Sequence, residues 1–279
     1  MTCDHTAKPL AQLPNILSLG AGVQSSTLAL MSAHGEVEPM PVAAVFADTQ
    51  AEPDSVYKWL AWLETQLPFP VHRVTAGSLE NEVLTMRVSA KGRKYSRTAI
   101  PVFTRNVDGQ LGRVPYRTCT RDFKIRPLMK KAREIAGIKR GQKTVGVVQW
   151  IGISVDEYTR AKPSRDPWCK SRFPLIEKRM SRNACLDWMD SNGYPEPPRS
   201  ACWFCPFHSL SEWRRLRDDE PKHWKQAIDF ERALQEARVS AVPYLHRSCV
   251  PLNEVDLRTD ADHGQLMLWQ NECEGMCGV

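Results

Sequence analysis

The sequence of 279 residues has no run of about eighteen apolar residues, the length needed to cross a bilayer. Its first residues contain neither the basic nor the apolar stretch of a secretion signal. Internal repeats and low-complexity tracts are also absent. These absences argue against a membrane-spanning, secreted or repeat protein, and they predict a cytoplasmic protein without a membrane partner.

The composition is otherwise that of a globular protein. Hydrophobic residues make up 42% of the chain and charged residues 25%, which argues against a largely disordered protein. Nine cysteines are present, and in a reducing compartment they argue against disulfides. They favour free thiols, metal ligation or redox chemistry.

Positive charge is concentrated in one part of the sequence. Between Arg87 and Lys143 stand seventeen Lys or Arg and three Asp or Glu, so this basic block carries about +14 while the rest of the chain carries about −8. A nucleic acid or a multiply charged nucleotide would match such a block. A basic surface without a partner is the simpler alternative.

The stretch from Ile16 to Thr27 changes from apolar residues to small ones and then to a helical pattern. We therefore predict a strand, a tight loop and a helix, with two glycines whose backbone amides can turn toward an anion at the start of the helix. Phosphate is the expected ligand. The loop lacks the Lys of a Walker loop and the third Gly of a dinucleotide-binding loop. A turn that only starts a helix is the alternative.

An alternation of strands and helices follows from the spacing of apolar runs. The predicted order is a strand from Asn15 to Leu19, a helix from Gln24 to Ala33, a strand from Pro41 to Ala47, a helix opened by Glu52-Pro53-Asp54, and a strand from Val71 to Val74. This order predicts a doubly wound, mostly parallel α/β sheet with right-handed crossovers. The glycine loop and Asp48 both follow strands, at the carboxyl edge where such sheets bind ligands.

The remaining predicted segments define three parts of the chain. Residues 1–14 form a lead-in, residues 15–160 a nucleotide-binding α/β domain, and residues 161–279 a helical, cysteine-bearing part packed on it. Residues 78–112 are predicted to be irregular and basic. The other predicted elements are a basic helix over 125–138, a strand over 144–153, and helices over 182–191 and 222–237.

Two thiols three residues apart, Cys202 and Cys205, are a candidate metal site, because such a pair can ligate one ion or one cluster face. A thioredoxin-type redox pair is a weaker interpretation, since no βαβ pattern surrounds the two cysteines. Zinc would need two further ligands, and an iron-sulfur cluster at least one more cysteine. Cys119 is the best third candidate.

The loop Gly20-Ala21-Gly22-Val23-Gln24-Ser25-Ser26 resembles the pyrophosphate loop of the PP-loop, or adenine nucleotide alpha hydrolase-like, superfamily. An Arg-x-Cys followed by Lys and Pro, with Cys-x-x-Cys 83 residues after Cys119, resembles the phosphoadenosine phosphosulfate reductase group of that superfamily. Thr120 stands where cluster-bearing reductases have a second Cys. Residues 152–160 and the tail 271–278 are similar to a later phosphate-binding segment and to the Glu-Cys-Gly tail of the same group.

The resemblance implies cofactors and the residues that hold them. ATP, with Mg²⁺, is expected at Ser18, Gly20, Ala21, Gly22, Val23, Gln24, Ser25, Ser26, Asp48, Lys124, Glu157 and Arg160. A 4Fe-4S cluster is expected at Cys119, Cys202, Cys205 and Cys273, and zinc is the alternative. Cys273 or Cys277 is the expected nucleophilic, sulfur-carrying thiol.

The function implied is that of an ATP-dependent enzyme that adenylates a nucleic acid or nucleotide for sulfur transfer, with an iron-sulfur cluster. Its expected partners are tRNA or DNA, a sulfur donor protein, and a second copy of the chain. One alternative is a sulfonucleotide reductase, in which a terminal thiol attacks the sulfonate. The other is a non-catalytic nucleic-acid-binding protein with a structural zinc, for which Gln24 in place of the usual Asp is the main support.

Overall fold

The computed structural model describes residues 9–92, 94–96, 98–113, 117–237, 241–258 and Asp262. Ten strands occur among them: β1 (Asn15–Leu19), β2 (Ala43–Asp48), β3 (Val71–Thr75), β4 (Met86–Val88), β5 (Lys94–Ser96), β6 (Phe103–Arg105), β7 (Leu111–Arg113), β8 (Val147–Ile151), β9 (Cys169–Arg172) and β10 (Val242–Tyr244). The α-helices in the same residues are α1 (Val23–Ala33), α2 (Asp54–Gln66), α3 (Leu79–Leu84), α4 (Arg126–Ile135), α5 (Pro174–Glu177), α6 (Arg182–Ser191), α7 (Leu210–Asp219) and α8 (Pro221–Ala237).

Four shorter helical segments complete the secondary structure of the described residues. Three are 3-10 turns, at Leu10–Gln12, Val155–Arg160 and Leu252–Glu254, and one is a π-helical turn at Thr120–Ile125 that leads into α4. The basic helix predicted over 125–138 is observed as α4, which ends at Ile135, three residues before the predicted end. None of the described helices combines the length and the apolar character that crossing a bilayer would require.

The chain divides into two compact units. The first unit consists of Met1–Asp48, Ser55–Val74 and Ile125–Ser200, and the second of Thr49–Asp54, Thr75–Lys124 and Ala201–Val279. The division predicted at residue 160 does not coincide with this one. Strand β9 and helix α6 lie beyond residue 160 yet belong to the first unit, because β9 completes its sheet by pairing with β8.

The first unit is built on a five-stranded parallel sheet with the strand order β3-β2-β1-β8-β9, flanked by helices. This arrangement is consistent with the doubly wound α/β fold that the sequence predicts. Both faces of the sheet are buried. Ile16, Val45 and Val147 pack with residues of α4 on one face, and Leu17 and Phe46 pack with residues of α1, α2 and α6 on the other. The nearly uninterrupted apolar runs of the central strands β1, β2 and β8 follow from this double coverage, whereas the edge strands β3 and β9 are more polar and partly exposed.

Strand β1 lies at the centre of the sheet, where the strand order reverses. It pairs with β2 on one side and with β8 on the other. The connection that follows β1 therefore leads to one side of it, and the strand on its other side comes from much later in the sequence. In open parallel sheets the crevice beyond the carboxyl ends of two such strands is the usual ligand site. The glycine loop follows β1 there, and Gly152 follows β8.

The second unit contains α3, α7, α8 and two small antiparallel sheets, β4-β5 and β10-β6-β7. Its apolar cluster takes residues from distant parts of the sequence, including Val83, Phe123, Trp203, Trp213 and Phe230. Residues 78–112, predicted to be irregular, hold α3 and four of the short strands, so that prediction was wrong. Strands of three residues are too short for an alternating pattern to become visible in the sequence.

Candidate functional site

The glycine loop joins β1 to α1 through a backbone that is fixed from within. Ala21 has φ +57°, in the left-handed region, and Gly22 is the N-cap residue of α1. The Gly20 amide donates to Ser25 Oγ at 3.1 Å, and that hydroxyl donates to the Gly22 carbonyl at 3.3 Å. Ser25 therefore holds both glycines in place. No side chain caps the amides of the first turn of α1, which have no partner within the helix.

Neither glycine of this loop is required by the packing of the protein. A Cβ at Gly22 would meet nothing closer than Ser200 at 3.8 Å, and one at Gly20 nothing closer than Ser25 Oγ at 3.5 Å. Gly22 has φ −101°, which any residue adopts. The Gly20 amide is taken by Ser25, and the missing side chains leave room for a ligand to approach the amides at the start of α1, as in phosphate-binding loops.

Gly152, by contrast, is required by packing. A Cβ at this position would lie 2.9 Å from both the Cα and the amide nitrogen of Ser25. The carboxyl end of β8 thus presses directly on the first turn of α1. Because the contact is with backbone, it cannot be relieved by a side-chain rotation. The predicted segment 152–160 begins at this contact.

A chain of polar side chains surrounds the start of α1. The Gln24 amide donates to Glu157 Oε2 at 3.4 Å and accepts from Arg182 Nη1 at 3.2 Å. Glu157 is also ion-paired with Arg160. The Arg182 Nε is buried and has no hydrogen-bond partner in the described part of the chain. Two arginines and two carboxylates, those of Glu157 and Asp156, thus stand beside the loop. The guanidinium groups offer N–H donors that an anionic ligand could accept from.

Arg182 is a site residue that the sequence analysis missed. It opens α6, and its backbone amide donates to the carboxylate of Asp156, so two segments far apart in the sequence meet at this point. A basic residue at the start of a predicted helix is unremarkable in a single sequence. Only the tertiary contact with Gln24 distinguishes it from other surface arginines.

Other predicted binding residues have contacts within the first unit. Asp48 accepts a hydrogen bond from the Tyr57 hydroxyl at 2.7 Å, and the Ser18 hydroxyl accepts from Gln149 at 2.7 Å. Ser26 is fully buried, and its hydroxyl accepts from the Trp59 indole at 2.9 Å. The side chain of Ser26 therefore packs in the core, as does that of Val23.

The three predicted metal-ligating cysteines lie in the second unit and contact one apolar cluster. Cys202 is among its buried members, and Cys119 and Cys205 are partly buried against it. Cys202 and Cys205 lie on a tight turn, in which the Cys205 amide donates to the Cys202 carbonyl at 2.8 Å. Cys202 Sγ is also 3.3 Å from the Thr49 hydroxyl. No disulfide joins the six cysteines that the structure describes.

Burial has the largest influence on the pKa values of Cys202 and Cys119. Together with the nearby Glu52 carboxylate, burial raises the pKa of Cys202 to about 12, while Lys124 opposes the shift. Burial also raises the pKa of Cys119, against the opposing charges of Arg117 and Lys124. In this enclosure the thiols are protonated at neutral pH, and a bound metal would have to displace their protons.

The three cysteines share an apolar environment, and the metal group that they would hold stays a prediction. Among the residues described, no three His, Cys, Asp or Glu side chains are grouped so as to hold one metal ion. Three thiols around one apolar cluster fit the cysteine ligation and the hydrophobic surroundings of an iron-sulfur cluster. Cys273, predicted as a ligand and as a nucleophile, and Cys277 lie outside the described residues.

Lys124, predicted to bind the nucleotide, belongs to the second unit, at the end of the π-helical turn. Its Nζ is 3.1 Å from Oε1 of Glu52, whose side chain is almost fully buried. The basic block is likewise divided between the units, since residues 87–124 belong to the second and residues 125–143 to the first. The structure therefore splits what the sequence presents as one charged segment.

Comparisons with known proteins assign no family to the chain. No protein-family model matches it, and the search of curated proteins finds no match either. The resemblance to the PP-loop superfamily remains a prediction that rests on the residues themselves.

Proposed function

We propose that this protein is an ATP-dependent enzyme of the PP-loop type, related to the phosphoadenosine phosphosulfate reductase group, that activates a nucleic acid or nucleotide for sulfur transfer. The observation that carries the proposal is that packing does not require glycine at Gly20 or Gly22, beyond the carboxyl end of the central strand, since a Cβ at either would meet its neighbours at ordinary contact distance. Two glycines that the fold itself does not need, beside an uncapped helix start, are best explained by a phosphate ligand.

The loop residues bind and orient the triphosphate. Amides at the start of α1 donate to phosphate oxygens, and Ser25 keeps the loop backbone in position for them. Arg160 and Arg182 neutralise the charge that grows as pyrophosphate leaves. Asp48, on the adjacent strand, is the carboxylate that would hold Mg²⁺.

The reaction proposed has two steps. An oxygen of the acceptor attacks the α-phosphorus of ATP, the bond to the β-phosphate breaks, and pyrophosphate leaves. A sulfur nucleophile at the oxidation level of sulfide then replaces the adenylated oxygen, and AMP departs with that oxygen. Adenylation turns a poor leaving group into a good one, and the enzyme supplies positioning and charge neutralisation.

The cysteines of the second unit would supply the sulfur chemistry. Cys119, Cys202 and Cys205 would hold an iron-sulfur cluster, and Cys273 is the predicted fourth ligand. Such a cluster, when bound, provides a site at which inorganic sulfide can be held for transfer. Around the thiols, the aromatic and aliphatic side chains of the apolar cluster exclude water.

The test is ATP binding and pyrophosphate exchange in the purified protein and in Gly22→Val. The Cβ of a valine at this position would lie 3.8 Å from Ser200, an ordinary contact distance, so the variant is expected to unfold within a few degrees of the original protein. Its side chain would occupy the approach to the amides, and ATP binding should fall below detection. Isothermal titration with ATP and Mg²⁺ measures the first quantity, and differential scanning fluorimetry the second.

Unaltered ATP affinity in Gly22→Val would contradict the loop assignment. Binding of ATP without pyrophosphate exchange, in a colourless protein with stoichiometric zinc, would favour the non-catalytic alternative. Binding of a sulfonucleotide in preference to ATP would favour the reductase.

A further inference from the structure

Three arginines of the second unit lie over aromatic rings, and two of them share a ring that follows the turn of Cys202 and Cys205, here called the cysteine turn. Arg113 and Arg117 both lie over the ring of Phe207, at 5.7 Å and 5.6 Å from its centre. Phe207 follows Cys205 by two residues and is buried. Arg105 lies 6.0 Å from the centre of the Tyr244 ring. The rings support the guanidinium groups and restrict their motion.

The strand register places two of these arginines on one face of the small sheet. In the antiparallel pair β6-β7, Phe103 is opposite Arg113 and Arg105 is opposite Leu111. Residues two apart on a strand share a face, so Arg105 and Arg113 are diagonal neighbours on the same side. Arg117 joins them through the ring that it shares with Arg113. Together Arg105, Arg113 and Arg117 form what we call the arginine track.

The described residues do not neutralise this positive charge with a carboxylate. In the part of the chain that the structure describes, none of the three arginines has an ion pair with Asp or Glu. Other arginines of the basic block are neutralised, as Arg87 is by Glu82 and Arg121 by Asp122. Two guanidinium groups at one ring repel each other unless an anion lies between them. A guanidinium over a ring keeps its N–H donors at its edge, where they can form paired hydrogen bonds with phosphate.

We propose that the arginine track binds consecutive phosphates of the nucleic acid substrate and holds its backbone beside the cysteine turn. The inference rests on the proposed function, and it names the substrate class as a polynucleotide. A mononucleotide would need only one such contact. Three arginines that lie over aromatic rings, two of them on one face of the small sheet, match a repeating phosphate backbone. Arg117 lies two residues before Cys119, so the bound backbone would lie near the predicted metal ligands.

The test is binding of a short fluorescently labelled single strand, RNA and DNA in parallel, to the full chain at several salt concentrations between about 50 and 200 mM. The variant changes Arg105, Arg113 and Arg117 to Gln. Each phosphate contact on a single strand contributes about 0.7 to the slope of log K against log salt. Loss of three contacts should therefore lower the slope by about two and weaken binding at least tenfold at low salt.

The matched control removes the same charge elsewhere in the basic block. Lys139, Arg140 and Lys143 are exposed residues of the first unit, and all three are changed to Gln. This variant should change the slope by less than half as much as the track variant. ATP binding is measured in both, and it should match that of the original protein.

Equal losses of affinity and slope in the two variants would show general charge attraction and overturn the track. Wild-type affinity in the track variant would also overturn it, while leaving ATP activation and the proposed function intact. An original protein that binds ATP but no single strand would overturn both the track and the choice of a polynucleotide. Absence of ATP binding with strand binding that depends on the track would instead contradict the proposed function alone.

Discussion

The glycine loop of the first unit and the cysteine turn of the second unit prepare a site by opposite means. Around the loop, polar groups hold one another in place, and Gln24, Glu157, Arg160 and Arg182 form a connected chain of hydrogen bonds and ion pairs. Around the turn, apolar burial is the dominant effect, and it raises the pKa of Cys202 to about 12.

The difference indicates which ligand each region can accept. Backbone amides and arginines that are already oriented stabilise a phosphate without a large rearrangement. Buried thiols gain little from a small anion, but they lose their protons to a metal that forms strong bonds with sulfur. One region is thus organised for charge and the other for covalent ligation, as an enzyme that joins nucleotide and sulfur chemistry would need.

The largest effect that would separate the two regions is loss of metal in Cys202→Ser. Serine oxygen is a poor iron ligand. We therefore expect the anaerobically purified variant to lose its bound iron and, with it, the absorbance at about 400 nm. The matched control is Cys185→Ser in the first unit. Cys185 is equally buried and its pKa is also raised to about 12, so burial alone does not distinguish the two residues.

Iron content and spectra of the two Ser variants are compared with those of the original protein. Cys185→Ser should keep its iron even where it loses some stability. Equal iron loss in both variants would mean that general destabilisation, and not ligation, removes the metal. Full iron content in Cys202→Ser would remove that residue from the centre.

A smaller effect is expected from a substitution that disturbs the backbone contact between the end of β8 and the start of α1. In Gly152→Ala the new methyl group would lie 2.9 Å from backbone atoms of Ser25, and we expect a loss of about 1–3 kcal/mol in the free energy of unfolding. Gly22→Ala adds the same methyl group with no contact closer than 3.8 Å, and it should be nearly neutral. Urea denaturation of both variants gives the comparison.

Equal stability of the two Ala variants would show that β8 and α1 can move apart at no cost. ATP affinity gives a second measure of the same contact. Gly152→Ala should weaken it, since the displaced first turn no longer presents its amides correctly.

The strands and helices of the first unit were largely predictable from the sequence because the signals that define each element are local, although β1 pairs with β8 across more than a hundred residues. Strand β1 has the predicted bounds, α1 begins one residue before the predicted start, and α6 has the predicted bounds at Arg182 and Ser191. In each case an apolar run of suitable length is bounded by small or capping residues, as Ser181 caps α6. These signals lie within about ten residues of one another.

The second unit was less predictable because its order is not local. Helix α7 was not predicted, and β6 pairs with β10 across well over a hundred residues of sequence. The same limitation affected the sites. Gly20 and Gly22 could be named from the sequence, whereas the contact of Arg182 with Gln24 depends on a fold that brings α6 to the start of α1.

The smallest expected effect tests whether burial also determines the pKa of a carboxyl group in the second unit, that of Glu231. Glu231 is buried on α8 and accepts hydrogen bonds from the amides of Leu245 at 2.6 Å and Leu252 at 2.7 Å. Burial raises the pKa of Glu231 above its usual value, and the two amides oppose that shift. Glu157 in the first unit differs, because it is paired with Arg160.

A raised pKa in the folded state means that the native protein holds this proton more tightly than the unfolded chain does. The stability gained from protonation of Glu231 is therefore complete below pH 4.5, the ordinary value, and is lost as pH rises through the raised pKa. Glu231→Gln imitates the protonated form and has no such loss. The stability of the original protein relative to this variant, from urea denaturation at each pH, should therefore fall as pH rises above 4.5. A difference that rises with pH would show that the two amides outweigh burial, and the contrast between a region organised by charge and one organised by burial would then not extend to Glu231.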